Sequence, residues 1–63
     1  MIKTLVNKVV TLPAYEVCLQ IESYNKETDC YLLHDFHYRY KTLTISRHYL
    51  ISLLDSGLSK ILT

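Results

Sequence analysis

Two stretches of alternating apolar and polar residues, joined by a polar cluster, constrain this chain more than anything else in it. In residues 15–24, Tyr15, Val17, Leu19 and Ile21 share one face, and Glu16, Cys18, Gln20 and Glu22 share the other. A period of two marks a strand with one face buried. Asn25, Lys26, Glu27, Thr28 and Asp29 form a polar turn cluster. Residues 30–40 read as a second strand, rich in aromatics. Cys30, Leu32, His34, Phe36, Tyr38 and Tyr40 lie on one face, and Tyr31, Leu33, Asp35, His37 and Arg39 on the other.

A hairpin turning between Lys26 and Glu27 fixes a register. Ile21 then faces Leu32, Leu19 faces His34, Val17 faces Phe36 and Tyr15 faces Tyr38. Apolar positions meet apolar positions, and a slip of one residue would destroy the match. On the outer face Glu16 meets His37, Cys18 meets Asp35, Glu22 meets Tyr31 and Gln20 meets Leu33, while Ser23 meets Cys30 on the inner one.

The flanks complete the expected fold. Residues 2–12 carry β-branched Val6, Val9 and Val10 and read as a first strand, which Pro13 ends. Residues 46–56 change to a helical period, with Tyr49, Leu50, Leu53 and Leu54 as the apolar stripe and Ile51 beside it. Thr42 or Thr44 is the expected N-cap, and Gly57 suits the left-handed position that ends a helix. Leu58, Ile61 and Leu62 form an apolar tail, either a final strand or a last helical turn. The expected fold class is α+β. It has a small antiparallel sheet of about three strands in β-β-β-α order, one C-terminal helix packed on it, and room for a short final strand. With no repeat or linker, residues 1–63 form a single domain.

Composition narrows the functional classes. The chain is 49% hydrophobic with one glycine and one proline, as expected of a folded domain rather than a disordered one. A start at Met1 leads us to expect a complete small protein. No apolar run approaches the ~20 residues needed to span a bilayer. Residues 1–10 lack the continuous apolar region and small-residue cleavage site of a secretory signal. A cytoplasmic protein with no membrane partner is the expectation. A net charge of +1 gives no strong field for nucleic acid. A domain this small buries only about 60% of its unfolded surface, so it often leans on a disulfide, a metal or a second subunit.

Each prop can be tested against the residues. Cys18 and Cys30 fall on opposite faces of the hairpin, so an internal disulfide is disfavoured and both read as reduced, packed thiols. His34 and His37 point to opposite faces of one strand and cannot share an ion unless the strand is broken between them. No CxxC-like spacing is present, so we expect no metal and no cofactor. Cys30 and His34 share a face but lie about 13 Å apart along a strand. With one glycine there is no phosphate-cradling loop. We expect no enzyme.

Two binding surfaces remain. The sequence has six tyrosines, a residue suited to interfaces because it brings apolar area and a polar tip. Tyr24, Tyr31, Leu33, His37 and Arg39 fall on the outer face, where an apolar patch marks a contact surface for another protein or for a second copy. The other surface is the aromatic and basic stretch Phe36, Tyr38, Arg39, Tyr40 and Lys41, together with Arg47. There, rings could stack bases while cations track phosphates. Against that stands the simpler expectation that Phe36, Tyr38 and Tyr40 face the helix as core while Arg39 and Lys41 are solvated. A helix-turn-helix in residues 44–62 would need a helix before it, where the sequence is β-like. The leading expectation is a protein-binding module, a regulator or inhibitor of a larger host or phage-related protein. Nucleic-acid binding is the alternative, and a homodimer fits either.

Overall fold

The computed structural model describes residues 5–62, and its order is four strands followed by one helix: β1 (Val9–Val10), β2 (Leu19–Asn25), β3 (Cys30–Asp35), β4 (Thr42–Ser46) and α1 (Arg47–Ser56). The strands form one antiparallel sheet in the order β1-β2-β3-β4, with the helix following at its C-terminal end. The α+β class, the C-terminal helix and the turn after Asn25 match the sequence-based expectation.

The hairpin register differs from the expected one. Leu19 pairs with Asp35, Gln20 with His34 and Ile21 with Leu33. A bulge between Ile21 and Ser23 then shifts the phase, so that Ser23 pairs with Leu32, Tyr24 with Tyr31 and Asn25 with Cys30. The bulge leaves Glu22 and Ser23 both exposed and returns Tyr24 to the helix side of the sheet. The shift also inverts β3. Tyr31 and Leu33, expected outside, are fully buried, whereas Cys30 and Leu32 stand on the opposite face and are only half-buried.

The core joins Leu5, Val10, Leu12, Leu19, Ile21, Tyr31, Leu33, Ile45, Leu50 and Leu53. Tyr24, Leu43, Ile51 and Leu54 pack on its margin. The helix contributes Leu50 and Leu53, three residues apart and therefore on one face. Tyr49, expected in the apolar stripe, is exposed.

Several boundaries move. β2 begins only at Leu19, so Tyr15 and Val17, expected on the buried face of that strand, are exposed. The expected first strand shrinks to Val9–Val10, because Asn7 takes a left-handed φ of 73° and breaks the ladder. Residues 2–4 of that expected strand lie outside the described residues. Thr42 and Thr44 do not cap the helix but belong to β4, where β-branched residues fit the pleat. The cap is Ser46, whose hydroxyl accepts from the Tyr49 N–H at 3.1 Å. Gly57 ends the helix at φ 82°, as expected. The tail is neither a helical turn nor a full strand. Ile61 makes a single antiparallel bridge to Val10, supported by backbone bonds from Thr11 N–H to Lys60 C=O and from Leu62 N–H to Val9 C=O.

Candidate functional site

The alternating run of residues 30–40 stops being a strand at Asp35. Its carboxylate accepts the backbone N–H of His37 at 2.7 Å and that of Tyr38 at 3.1 Å. An aspartate that captures N–H groups two and three residues on folds the chain into a turn instead of a ladder. The His37 N–H, more than any other group, holds the Asp35 carboxyl below the ordinary carboxylate range, against a smaller opposing effect of burial. The last rung beyond β2 is the Phe36 N–H bonded to Cys18 C=O at 3.0 Å.

Beyond Asp35 the chain forms an exposed aromatic loop. Phe36 is 49% exposed, Tyr38 54% and Tyr40 77%, and every residue from 36 to 41 is exposed. The expectation that these rings face the helix as core is therefore wrong. They pack on their neighbours instead. Phe36 meets His37 edge-on at 5.6 Å, Tyr38 meets Tyr40 at 6.1 Å, and Lys41 Nζ sits 5.2 Å from the Tyr38 ring centre. Beside the loop runs a shallow cleft lined by Tyr15, Val17, Leu19, Asp35, Lys41, Thr42 and Leu43.

The structure divides both expected residue sets. Of the protein-binding set, His37 and Arg39 lie in the exposed loop, whereas Tyr31 and Leu33 are core and present no surface. Tyr24 is half-buried, with its ring 5.0 Å from Tyr31 and its hydroxyl donating to Asp29. Of the nucleic-acid set, Phe36, Tyr38, Arg39, Tyr40 and Lys41 stay together in the loop. Arg47 does not join them. It starts α1 beside the β2–β3 turn, at the opposite end of β3, about 20 Å away at ~3.3 Å per strand residue.

Arg47 has a structural partner. Its Nε donates to Asp29 Oδ1 at 2.7 Å and its second nitrogen to Oδ2 at 3.0 Å, a two-pronged bond. Arg47 foremost, then Tyr24, holds the Asp29 carboxyl below its ordinary range, and the same carboxylate raises the Tyr24 hydroxyl above its own. The cluster ties the hairpin turn to the helix start.

His34, expected at the core edge, is buried on the face away from the helix. Its Nδ1 lies 3.1 Å from Glu22 and its Nε2 3.2 Å from Gln20, whose amide nitrogen donates to the Asn7 carbonyl at 3.3 Å. Cys18 and Cys30 are both free. Among the described residues, no group of three or more His, Cys, Asp or Glu gathers as a metal site would require. No helix among them is long and apolar enough to cross a membrane. Compared with known proteins, the chain matches no family model, no curated protein and no solved structure, so its functional reading rests on its own residues.

Sequence reasoning singled out the aromatic segment but read it as a strand rather than a loop. The missed signal is Asp35 itself, an acidic residue inside an aromatic run, two and three positions before the N–H groups it captures.

Proposed function

We propose that the protein is a non-enzymatic, cytoplasmic protein-binding module that acts as a regulator or inhibitor of a larger protein, and that the loop 36–41 is its contact surface. One observation carries this reading: Phe36, Tyr38 and Tyr40 are held in solvent at the end of a sheet whose core is complete without them. Exposed aromatics beside an arginine are the residue types that anchor protein interfaces. Tyr38 and Tyr40 brace one another, so ordering them on binding costs little side-chain entropy.

The same loop favours nucleic acid as a second reading, because stacked rings next to Arg39 and Lys41 also suit unpaired bases. The charge distribution weighs against it. The chain carries a net charge of +1, and Arg47, the further cation that reading needs, is committed to Asp29 far from the loop. Few cations are left to neutralise phosphates.

A photo-crosslinking residue at position 40 separates the readings, with position 26 in the hairpin turn as control. In native extract, the expected result is one discrete protein adduct from position 40 that is absent from position 26. Tyr38→Ala should weaken the captured complex about tenfold or more. Micromolar binding to an oligonucleotide pool that weakens steeply with salt, with no adduct from position 40, would establish the nucleic-acid reading instead.

A further inference from the structure

β4 is an edge strand, and its free side is chemically complete. The Asp35 N–H bonds to Lys41 C=O, and the Arg47 N–H bonds to Asp29 C=O. With Leu33 opposite Leu43 and Tyr31 opposite Ile45 in the same register, the odd-numbered residues of β4 spend their backbone groups on β3. The alternation turns the N–H and C=O groups of Thr42 and Thr44 outward. Among the described residues nothing pairs with them there.

Natural sheets blunt such edges with charge, proline, bulges or a cover. Thr42–Ser46 contains no charge and no proline, and its pairing with β3 is regular. The strand is also symmetric in polarity about its centre: hydroxyl, aliphatic, hydroxyl, aliphatic, hydroxyl.

We propose that β4 pairs antiparallel with β4 of a second copy of this chain, centred on Thr44, so that two sheets become one. In that register Thr44 meets Thr44 of the second copy, and Thr42 meets Ser46 of the second copy. On the helix side Leu43 meets Ile45 of the second copy. Hydroxyls face hydroxyls and aliphatics face aliphatics, the cross-strand pairs that stabilise a sheet. A strand from an unrelated protein would need that pattern by coincidence, whereas a two-fold axis supplies it automatically.

Two further observations fit a second copy. A cleft of about 310 Å³ lies beside this strand, lined by Leu12, Tyr15, Leu43, Ile45, Tyr49 and Leu53. Tyr15 and Tyr49 are exposed at its sides, apolar surface that a neighbouring helix face would cover. Charge opposes the pairing only at its two ends. Lys41 approaches Arg47 of the second copy, a cation already held two-pronged by a carboxylate in its own chain, and a net charge of +1 gives two copies little long-range repulsion. Antiparallel pairing places the two 36–41 loops at opposite ends of the joint, so each stays open to a partner. The inference is independent of what that partner is.

Light scattering on gel-filtration peaks of the full chain, across about 1–500 μM, tests it. The expected result is a mass rising to two chains. Thr44→Lys, which sets two cations on the axis, should weaken dimerisation about tenfold or more. Thr44→Pro, which deletes the outward N–H at a position where an edge strand tolerates proline, should do so as well. Both should keep the wild-type circular dichroism spectrum, and Ser52→Lys on the exposed helix face should dimerise normally. A single chain at 500 μM overturns the proposal. So does a dimer that survives both folded Thr44 variants, because the interface would then lie elsewhere.

Discussion

Tyr31 and Tyr40 belong to one continuous alternating run, yet the first is fully buried and the second is 77% exposed. Nothing in their chemistry separates them. What separates them is Asp35, which lies between them and holds the N–H groups of His37 and Tyr38. Before it the chain spends its backbone bonds on neighbouring strands, and side chains on one face meet the helix. After it the backbone turns, and the rings pack on neighbours within the loop. Alternation is therefore necessary for a strand and insufficient to define one: a carboxylate of the right reach ends the ladder regardless of the side chains beyond it.

The comparison breaks most easily at its buried end. Leu33→Ala removes a fully buried side chain and should cost about 2–5 kcal/mol. That is comparable with the whole stability of a domain this size, about 3–5 kcal/mol. The expected result in urea titration is a chain largely unfolded without denaturant. A loss below about 1 kcal/mol would mean that β3 is not inverted and that the even-numbered residues form the core.

Acid should act next, at the hinge between the regions. The Asp35 and Asp29 carboxyls are both held below their ordinary range, the first chiefly by the His37 N–H and the second chiefly by Arg47. A depressed folded value means that the stabilisation is complete above the ordinary carboxyl pKa of about 3.9 and is lost as pH falls through the folded value. The urea midpoint should therefore be level near neutrality and decline below about pH 4. Asp35→Asn should make that decline shallower, because one titrating group is gone, while Asp29 keeps the rest. An unchanged acid profile would show that Asp35 does not hold the turn.

The same two regions show what the sequence allows to be read. The fold class, the hairpin turn, the helix stripe at Leu50 and Leu53 and the Gly57 stop follow from local periods and caps, which act within a few residues. The register does not. It depends on the bulge between Ile21 and Ser23, one extra residue that leaves the local pattern intact and changes which face of β3 is inside. A strand with apolar residues on both faces, such as Leu32 and Leu33 side by side, accepts either phase, so the pattern cannot choose. β4 escaped for a related reason: threonines that favour strands also favour helix caps, and only the Asp35 turn frees them for the sheet. The candidate site was legible as a set of residues from Phe36 to Lys41 but not as a surface, since exposure depends on where the ladder ends.

The smallest effect is the sharpest test of the exposed end. Tyr40 is 77% exposed, and its ring meets that of Tyr38. Tyr40→Ala should therefore change stability by less than about 0.5 kcal/mol, the range of substitutions at open surface positions. Set against Leu33→Ala, it asks whether two apolar residues from one alternating run differ in energetic role as they differ in exposure. A loss above about 1 kcal/mol on urea titration would mean that the loop folds back onto the sheet and supports it, and Tyr38→Ala should then destabilise as well. A loss near zero, with circular dichroism unchanged, leaves the ring with no part in holding the fold. Its aromatic surface is then free for the contact proposed for the loop.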